Sequence, residues 1–164
     1  ALAAIAVGAV VVLVPTLTWI APPRPWFEAR AWVPIGGMML SSAMNVVAQV
    51  FERVFAQAHA EVEIIEQRTA LGATPTQAPA SIVRSSVRAA MIPAINALIT
   101  VGVVSLPGMM TGQILSGAAP EQAVRYQLVV MYQLVAVAAV SGMIAAWIAR
   151  RLLFTSRGQL RSSW

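Results

Sequence analysis

Apolar residues fill this chain in four long blocks, and the polar positions fall mainly between them. The blocks cover residues 1–20, 31–51, 89–120 and 126–149, and none contains a charged side chain. A helix needs about 20 apolar residues to cross the hydrocarbon core of a bilayer. Each block supplies roughly that or more. None alternates strictly between apolar and polar, as the strands of a membrane barrel do. Helices and closed barrels are the structures that satisfy their own backbone in lipid, so the pattern predicts an all-α, polytopic membrane protein with four membrane-spanning helices. The third block is too long for one crossing. Pro107-Gly108 is expected to end its helix near Leu106, because proline cannot continue the hydrogen-bond ladder and glycine favours a turn. Residues 108–120 are then small and polar, with Thr111, Gly112, Gln113, Ser116 and Gly117. They read as a loop or short re-entrant segment, in which Gly108 and Gly112 permit backbone conformations closed to other residues. Pro120 and Glu121 suit the first turn of the last helix.

The longest polar interval, residues 52–88, holds most of the acids. It opens as a helical continuation and runs through Glu61, Glu63 and Glu66, with Val62 and Ile65 on another face, as in a helix lying at a membrane surface. Leu71-Gly72-Ala73-Thr74-Pro75 is expected to end that helix, glycine supplying the left-handed cap and proline following it. A further helix starts near Ser81 and carries Arg84 and Arg88 four residues apart. Two readings stand: a solvated amphipathic linker, or a short helix that docks on a separate protein.

Composition narrows the class. The chain is 59% hydrophobic and 10% charged, with a mean hydropathy of +0.75, far from the roughly one quarter of charged residues of a soluble domain. It has no cysteine, which removes disulfide frameworks and thiolate metal sites. All eleven basic residues are arginine, so there is no lysine for a P-loop or a Schiff base. The arginines form no stripe with interleaved aromatics, and nucleic acid is not an expected partner. They orient the chain instead. Arg53, Arg68, Arg84 and Arg88 lie between the second and third blocks, and Arg150, Arg151, Arg157 and Arg161 follow the fourth. With alternating helices these eight share one side, against Arg24, Arg30 and Arg125 on the other. Positive charge collects in the cytoplasm, so the 52–88 segment and the C-terminus are expected there, with Trp19, Trp26 and Trp32 at the opposite interface. One membrane-spanning domain, 1–154, and a frayed cytoplasmic tail, 155–164, complete the expected layout. The apolar run already under way at Ala1, with no basic segment before it, reads as the continuation of a longer protein with further helices upstream.

Few residues offer chemistry. Asn45 and Asn96 lie at membrane depth, where a polar group either bonds across helices or lines a substrate path. Pro93 would free carbonyls close to Asn96. Met109 and Met110, beside Thr111 and Gln113, either pack a tight turn or offer thioether, hydroxyl and amide ligands, although thioethers favour softer ions than iron(II). His59 reads as a surface residue. Glu61, Glu63 and Glu66 suit docking to a partner or transient cation capture. Glu121 and Arg125 form an i,i+4 pair that stabilises a helix. No Asp or Glu falls in the four blocks, which weighs against the alternative of an ion-coupled secondary carrier. A membrane-embedded protease would need His, Lys or paired Asp at that depth, and the blocks have none.

The spacing of Glu66, Gly72 and Ile82 resembles the loop motif of ABC importer permeases, with Arg84 and Ser85 standing where that motif has leucine-proline. A broader resemblance covers nearly all the chain from Pro25 onward. Pro25-Trp26-Phe27-Glu28-Ala29-Arg30, Pro34-Ile35-Gly36-Gly37-Met38, Asn45, the run EVEIIEQRTALGATPTQ from Glu61, and SLPGMMTGQILS from Ser105 with Pro120-Glu121-Gln122-Ala123-Val124-Arg125-Tyr126-Gln127 together resemble the FetB-type permease family. Phe27, where tyrosine is expected, and Gln49 and Gln57, at more apolar positions, are mild departures. The family comprises bacterial iron-export permeases and plant relatives tied to aluminium tolerance. Membership implies the membrane-spanning subunit of an ABC transporter in the inner membrane, driven by a separate ATP-binding subunit and paired with a second permease copy. ATP would bind that subunit, so this chain is expected to hold no cofactor and to be no enzyme. Glu61, Glu63, Glu66, Leu71, Gly72 and Ala73 would form the coupling helix, and Asn45, Asn96, Met109, Met110, Thr111 and Gln113 the substrate pathway.

Overall fold

The computed structural model describes residues 2–15, 29–100, 108–155 and 159–160, with side chains described from residue 33 in the second segment. Six helices account for almost all of it: α1 (Leu2–Pro15), α2 (Ala29–Ala60), α3 (Val62–Ala70), α4 (Ala80–Thr100), α5 (Gly108–Leu115) and α6 (Pro120–Leu153). Three of them, over Val33–Ala60, Ala80–Thr100 and Pro120–Leu153, are long and apolar enough to cross a membrane. At 1.5 Å per residue α4 is about 32 Å long, close to one hydrocarbon core, whereas α2 and α6 are about 48 and 51 Å and overshoot it by several turns. Where a fourth crossing was expected, the described helix is α1, 14 apolar residues ending at Pro15, about 21 Å and shorter than a hydrocarbon core. The rest of that block, the expected stop near Leu106, and Trp19, Trp26 and Pro107 lie outside the described residues.

Helix α6 is the hub, and α1, α2, α4 and α5 all pack on it. From Ala138 to Ala149 its buried face is built from small residues: Ala138, Ser141, Gly142, Ala145, Ala146 and Ala149. Small side chains let helix backbones approach closely, the usual basis of packing in lipid. A Cβ on Gly8 would stand 3.0 Å from Ser141 Cβ, and one on Gly142 would stand 3.1 Å from Val46 Cγ1. These contacts give directions. Ser42 meets Leu134 and Val46 meets Gly142, so α2 and α6 run the same way. Gln57 at the end of α2 accepts from Ser85 and Ser86 near the start of α4, so α4 runs back.

Two local readings need correction. Residues 108–115 are a helix rather than a loop, and Gly108 and Gly112 take ordinary helical backbone with nothing within 4 Å of an added Cβ. The left-handed residue is Gly117, at φ +93°. Gly117 N–H donates to Ile114 O and Ala118 N–H to Gln113 O, the paired bonds of a Schellman cap. The tail is also more ordered than expected where it is described. Phe154 and Leu160 form an antiparallel bridge, Thr155 N–H donates to Gln159 O at 2.8 Å, and Leu160 packs on the core. Pro120 stands at the start of α6 as anticipated, and Glu121 and Arg125 pair at 2.7 Å on its exposed first turns.

Candidate functional site

Polar residues on α2 recur at Ser41, Ser42, Asn45 and Gln49, a spacing that gathers them on one face of a helix. That face opens on a groove of about 540 Å³ between α2, α4 and α6. Gly37, Met38, Ser41, Ser42, Asn45 and Gln49 line it from α2, Ala90, Pro93 and Ala94 from α4, and Leu134 from α6. Ser42 Oγ donates to the Leu134 carbonyl at 3.3 Å and so ties α2 to α6. Ser41 and Asn45 are exposed to the groove and Gln49 is half-buried. Pro93 has no N–H, which leaves the carbonyl one turn earlier without its helical donor. The wall therefore offers hydroxyls and amides and no charge.

The structure separates the expected pathway residues. Asn45 lines the groove. Asn96, Met109, Met110, Thr111 and Gln113 do not. Asn96 is exposed on α4, and its carbonyl accepts from Thr100 Oγ1 at 3.0 Å. On α5, Met109 packs against the apolar cluster of Ile35, Met39, Ala43, Val130 and Val137. Thr111 is exposed, and Gln113 uses its carbonyl in the Schellman cap and for Ser116 Oγ. Among the described residues no group of three or more His, Cys, Asp or Glu could hold a metal. Ser41, Ser42 and Gln49 were missed by the sequence reading, although their spacing with Asn45 was there to be found. Gln127 and Gln133, buried on α6 with side-chain oxygens lacking a donor among the described residues, were missed because a lone glutamine in an apolar run gives no periodic signal.

At the far end of α2 the chain breaks at Glu61 and continues as α3. Its end is a second Schellman cap: Gly72, at φ +91°, donates to Thr69 O, and Ala73 donates to Arg68 O, both at 3.0 Å. Ile65 is buried in the main core with Ala78 and Ile82. Arg68 Nη1 donates to Ala78 O at 3.0 Å and to Ser81 Oγ at 2.9 Å, which braces α3 against the start of α4. The same anchoring leaves Glu63 and Glu66 exposed and Glu61 partly so. Leu71 is 89% exposed, an apolar side chain with almost no cover from its own chain. Of the motif triad, Ile82 packs inside, Gly72 turns the chain and Glu66 faces outward. His59 is exposed, as expected of a surface residue.

Long apolar helices gathered round α6, with an uncharged polar groove between them, define an integral membrane protein of the multi-pass helical class. The chain belongs to the uncharacterised protein family UPF0014, whose profile matches residues 1–154. It is 41% identical over 128 residues to the probable iron export permease protein FetB of Escherichia coli (strain K12), covering 78% of this chain and 49% of that protein. It is 36% identical to the UPF0014 membrane protein STAR2 of Oryza sativa subsp. japonica, covering 84% and 48%, and 35% identical to the protein ALUMINUM SENSITIVE 3 of Arabidopsis thaliana, covering 83% and 50%. The chain thus spans about half the length of the relatives it matches. No solved structure matches it.

Proposed function

We propose that this chain forms part of the permease subunit of an ABC transporter that exports metal ions, iron first, across the inner membrane. A separate ATP-binding subunit would supply the energy, and a second permease copy would complete the translocation unit. The observation that carries the reading is α3. It is a short surface helix, buried through Ile65, clamped through Arg68 and turned back at Gly72, yet it presents Glu63, Glu66 and Leu71 outward. A lever must be stiff toward its own protein and open toward its partner, and α3 is both. The likeness to a probable iron export permease at 41% identity supports the cargo.

In this reading ATP-driven closure of the partner pushes α3, and α3 passes the displacement to α2 and α4, whose facing walls form the groove. The oxygen donors of Ser41, Asn45 and Gln49 suit brief contact with a hydrated or partly dehydrated cation. The lack of a carboxylate there keeps the ion from being trapped.

The test uses the full-length permease co-expressed with its ATP-binding subunit. Glu66→Arg and Leu71→Asp are expected to reduce co-purification of that subunit and metal efflux together, while the permease still reaches the membrane. Undiminished co-purification in both variants would return α3 to the status of a linker.

A further inference from the structure

Three arginines from two helices line one cavity at the end of the bundle where α4 begins and α6 ends. Arg84 and Arg88 come from α4 and Arg150 from α6, and the cavity holds about 420 Å³. Its remaining lining is Ala80, Val83 and Val87, and no acid contributes. The ion pair among the described residues is Glu121–Arg125, elsewhere on α6, and no side chain of these three arginines has a hydrogen-bond partner among the described residues. Arg150 Nε is buried and has no acceptor among the described residues. Three like charges converging on one space repel each other. Their arrangement makes sense when an anion sits among them.

The helix faces say what kind of anion. On α4, Arg84 and Arg88 continue at helical spacing into Ile92, Ile95 and Ile99, which are all exposed. On α6, Tyr132, Ala136, Met143 and Trp147 form an exposed stripe that ends, again at helical spacing, at Arg150. Each helix therefore shows an outward apolar track, about 10 Å long on α4 and about 22 Å on α6, capped by arginine at the same end. Arg151 lies 3.9 Å from the centre of the Trp147 ring, the pairing expected where an aromatic belt meets headgroups. A soluble acidic peptide would match the charges but not the apolar tracks leading away from them.

We infer that Arg84, Arg88 and Arg150 bind the phosphate headgroup of an anionic phospholipid, with its glycerol against Val83 and Val87 and its acyl chains along the two apolar tracks. Basic pockets between spanning helices are suited to such headgroups, and guanidinium groups match phosphate oxygens two at a time. The site joins the start of α4 to the end of α6, so a bound lipid fastens these helices together close to α3.

The experiment uses the full-length protein in mild detergent, with thermal unfolding and native mass spectrometry as readouts. Dioctanoyl phosphatidylglycerol is expected to raise the unfolding midpoint and to be retained in the gas phase. Dioctanoyl phosphatidylcholine and inorganic phosphate at equal concentration are not. Arg84→Gln with Arg88→Gln should weaken the phosphatidylglycerol response about thirtyfold, the effect of removing two cations facing an anionic lipid. Arg84→Lys with Arg88→Lys should recover part of it, and Arg125→Gln should leave it unchanged. Both α4 arginines are exposed, so the double variant is expected to fold; Arg84→Gln alone provides the same test at lower risk. Equal responses to the two lipids, or to phosphate alone, overturn a lipid site. So does a glutamine variant that binds phosphatidylglycerol normally but loses the ATP-binding subunit, which would assign the arginines to a protein partner.

Discussion

Gly72 closes α3 at φ +91°, whereas Gly112 sits inside α5 with helical backbone and free space around it. A side chain at the first position must adopt the left-handed region, which costs about 1–2 kcal/mol for an L-residue. At the second position it removes backbone entropy from the unfolded chain, so alanine should stabilise by about 0.5–1 kcal/mol. Gly72→Val is therefore expected to lower the unfolding midpoint of the detergent-solubilised protein and Gly112→Ala to raise it slightly. Opposite signs would show that the two backbone environments have been exchanged. The methionines of α5 divide in the same way between packing and chemistry. Met109 lies against Ile35 and Met39, and Met110 is half-buried. Changing both to leucine conserves volume at a cost of less than about 1.5 kcal/mol and removes both sulfurs. Efflux should persist in that double variant; its loss at normal expression would make the sulfurs transient ligands of the cargo.

Among the elements, α3 depends most on a single side chain. Nine residues are too few for a stable helix in water on their own. What holds α3 is the burial of Ile65, the Schellman cap and the two hydrogen bonds of Arg68. Hydrogen bonds from a charged donor are worth about 1.5–3 kcal/mol each at most, and less where solvent screens them, as at the Ser81 hydroxyl. Arg68→Ala should therefore speed backbone hydrogen exchange over residues 62–70 about tenfold or more, while exchange in the middle of α6 stays unchanged. A uniform change along both helices would mean that α3 unfolds only with the whole bundle. The sequence signalled the cap, since Leu71-Gly72-Ala73 before Thr74-Pro75 is a local signature. It did not signal the brace, because Arg68 and Ala78 meet only once the chain has turned.

For the whole molecule, the bundle makes the direction of each crossing testable. The loop between α3 and α4 and the loop between α5 and α6 should open on opposite sides of the membrane. The chain has no cysteine, so single substitutions report without further engineering. Thr76→Cys is expected to react with an impermeant maleimide only after the cells are permeabilised, and Ala118→Cys to react in intact cells. Both sites are exposed or half-exposed. Labelling of both from the same side would mean that α4 does not cross, and labelling of Thr76→Cys in intact cells would move the arginine cavity to the outer side.

Length, hydropathy and end signals were enough to foresee an all-helical membrane protein, the start of α4 within one residue, Pro120 at the first turn of α6 and the cap at Gly72. Those features are local: a run of apolar residues, a missing N–H or a left-handed glycine acts within a few positions along the chain. The site was legible only in part. Of the expected pathway residues Asn45 lines the groove, yet its companions there are Ser41, Gln49 and Pro93, while Asn96 and the α5 residues do not line it. The same holds for Gly8 against Ser141 and for Arg84 and Arg88 beside Arg150, each pair more than 60 positions apart. Which face a helix turns inward depends on the helices it meets, and those partners are chosen by shape over long separations in the chain. The sequence by itself therefore determined the long helices and the cap that ends α3; only the packing of the helices decided which residues share a cavity.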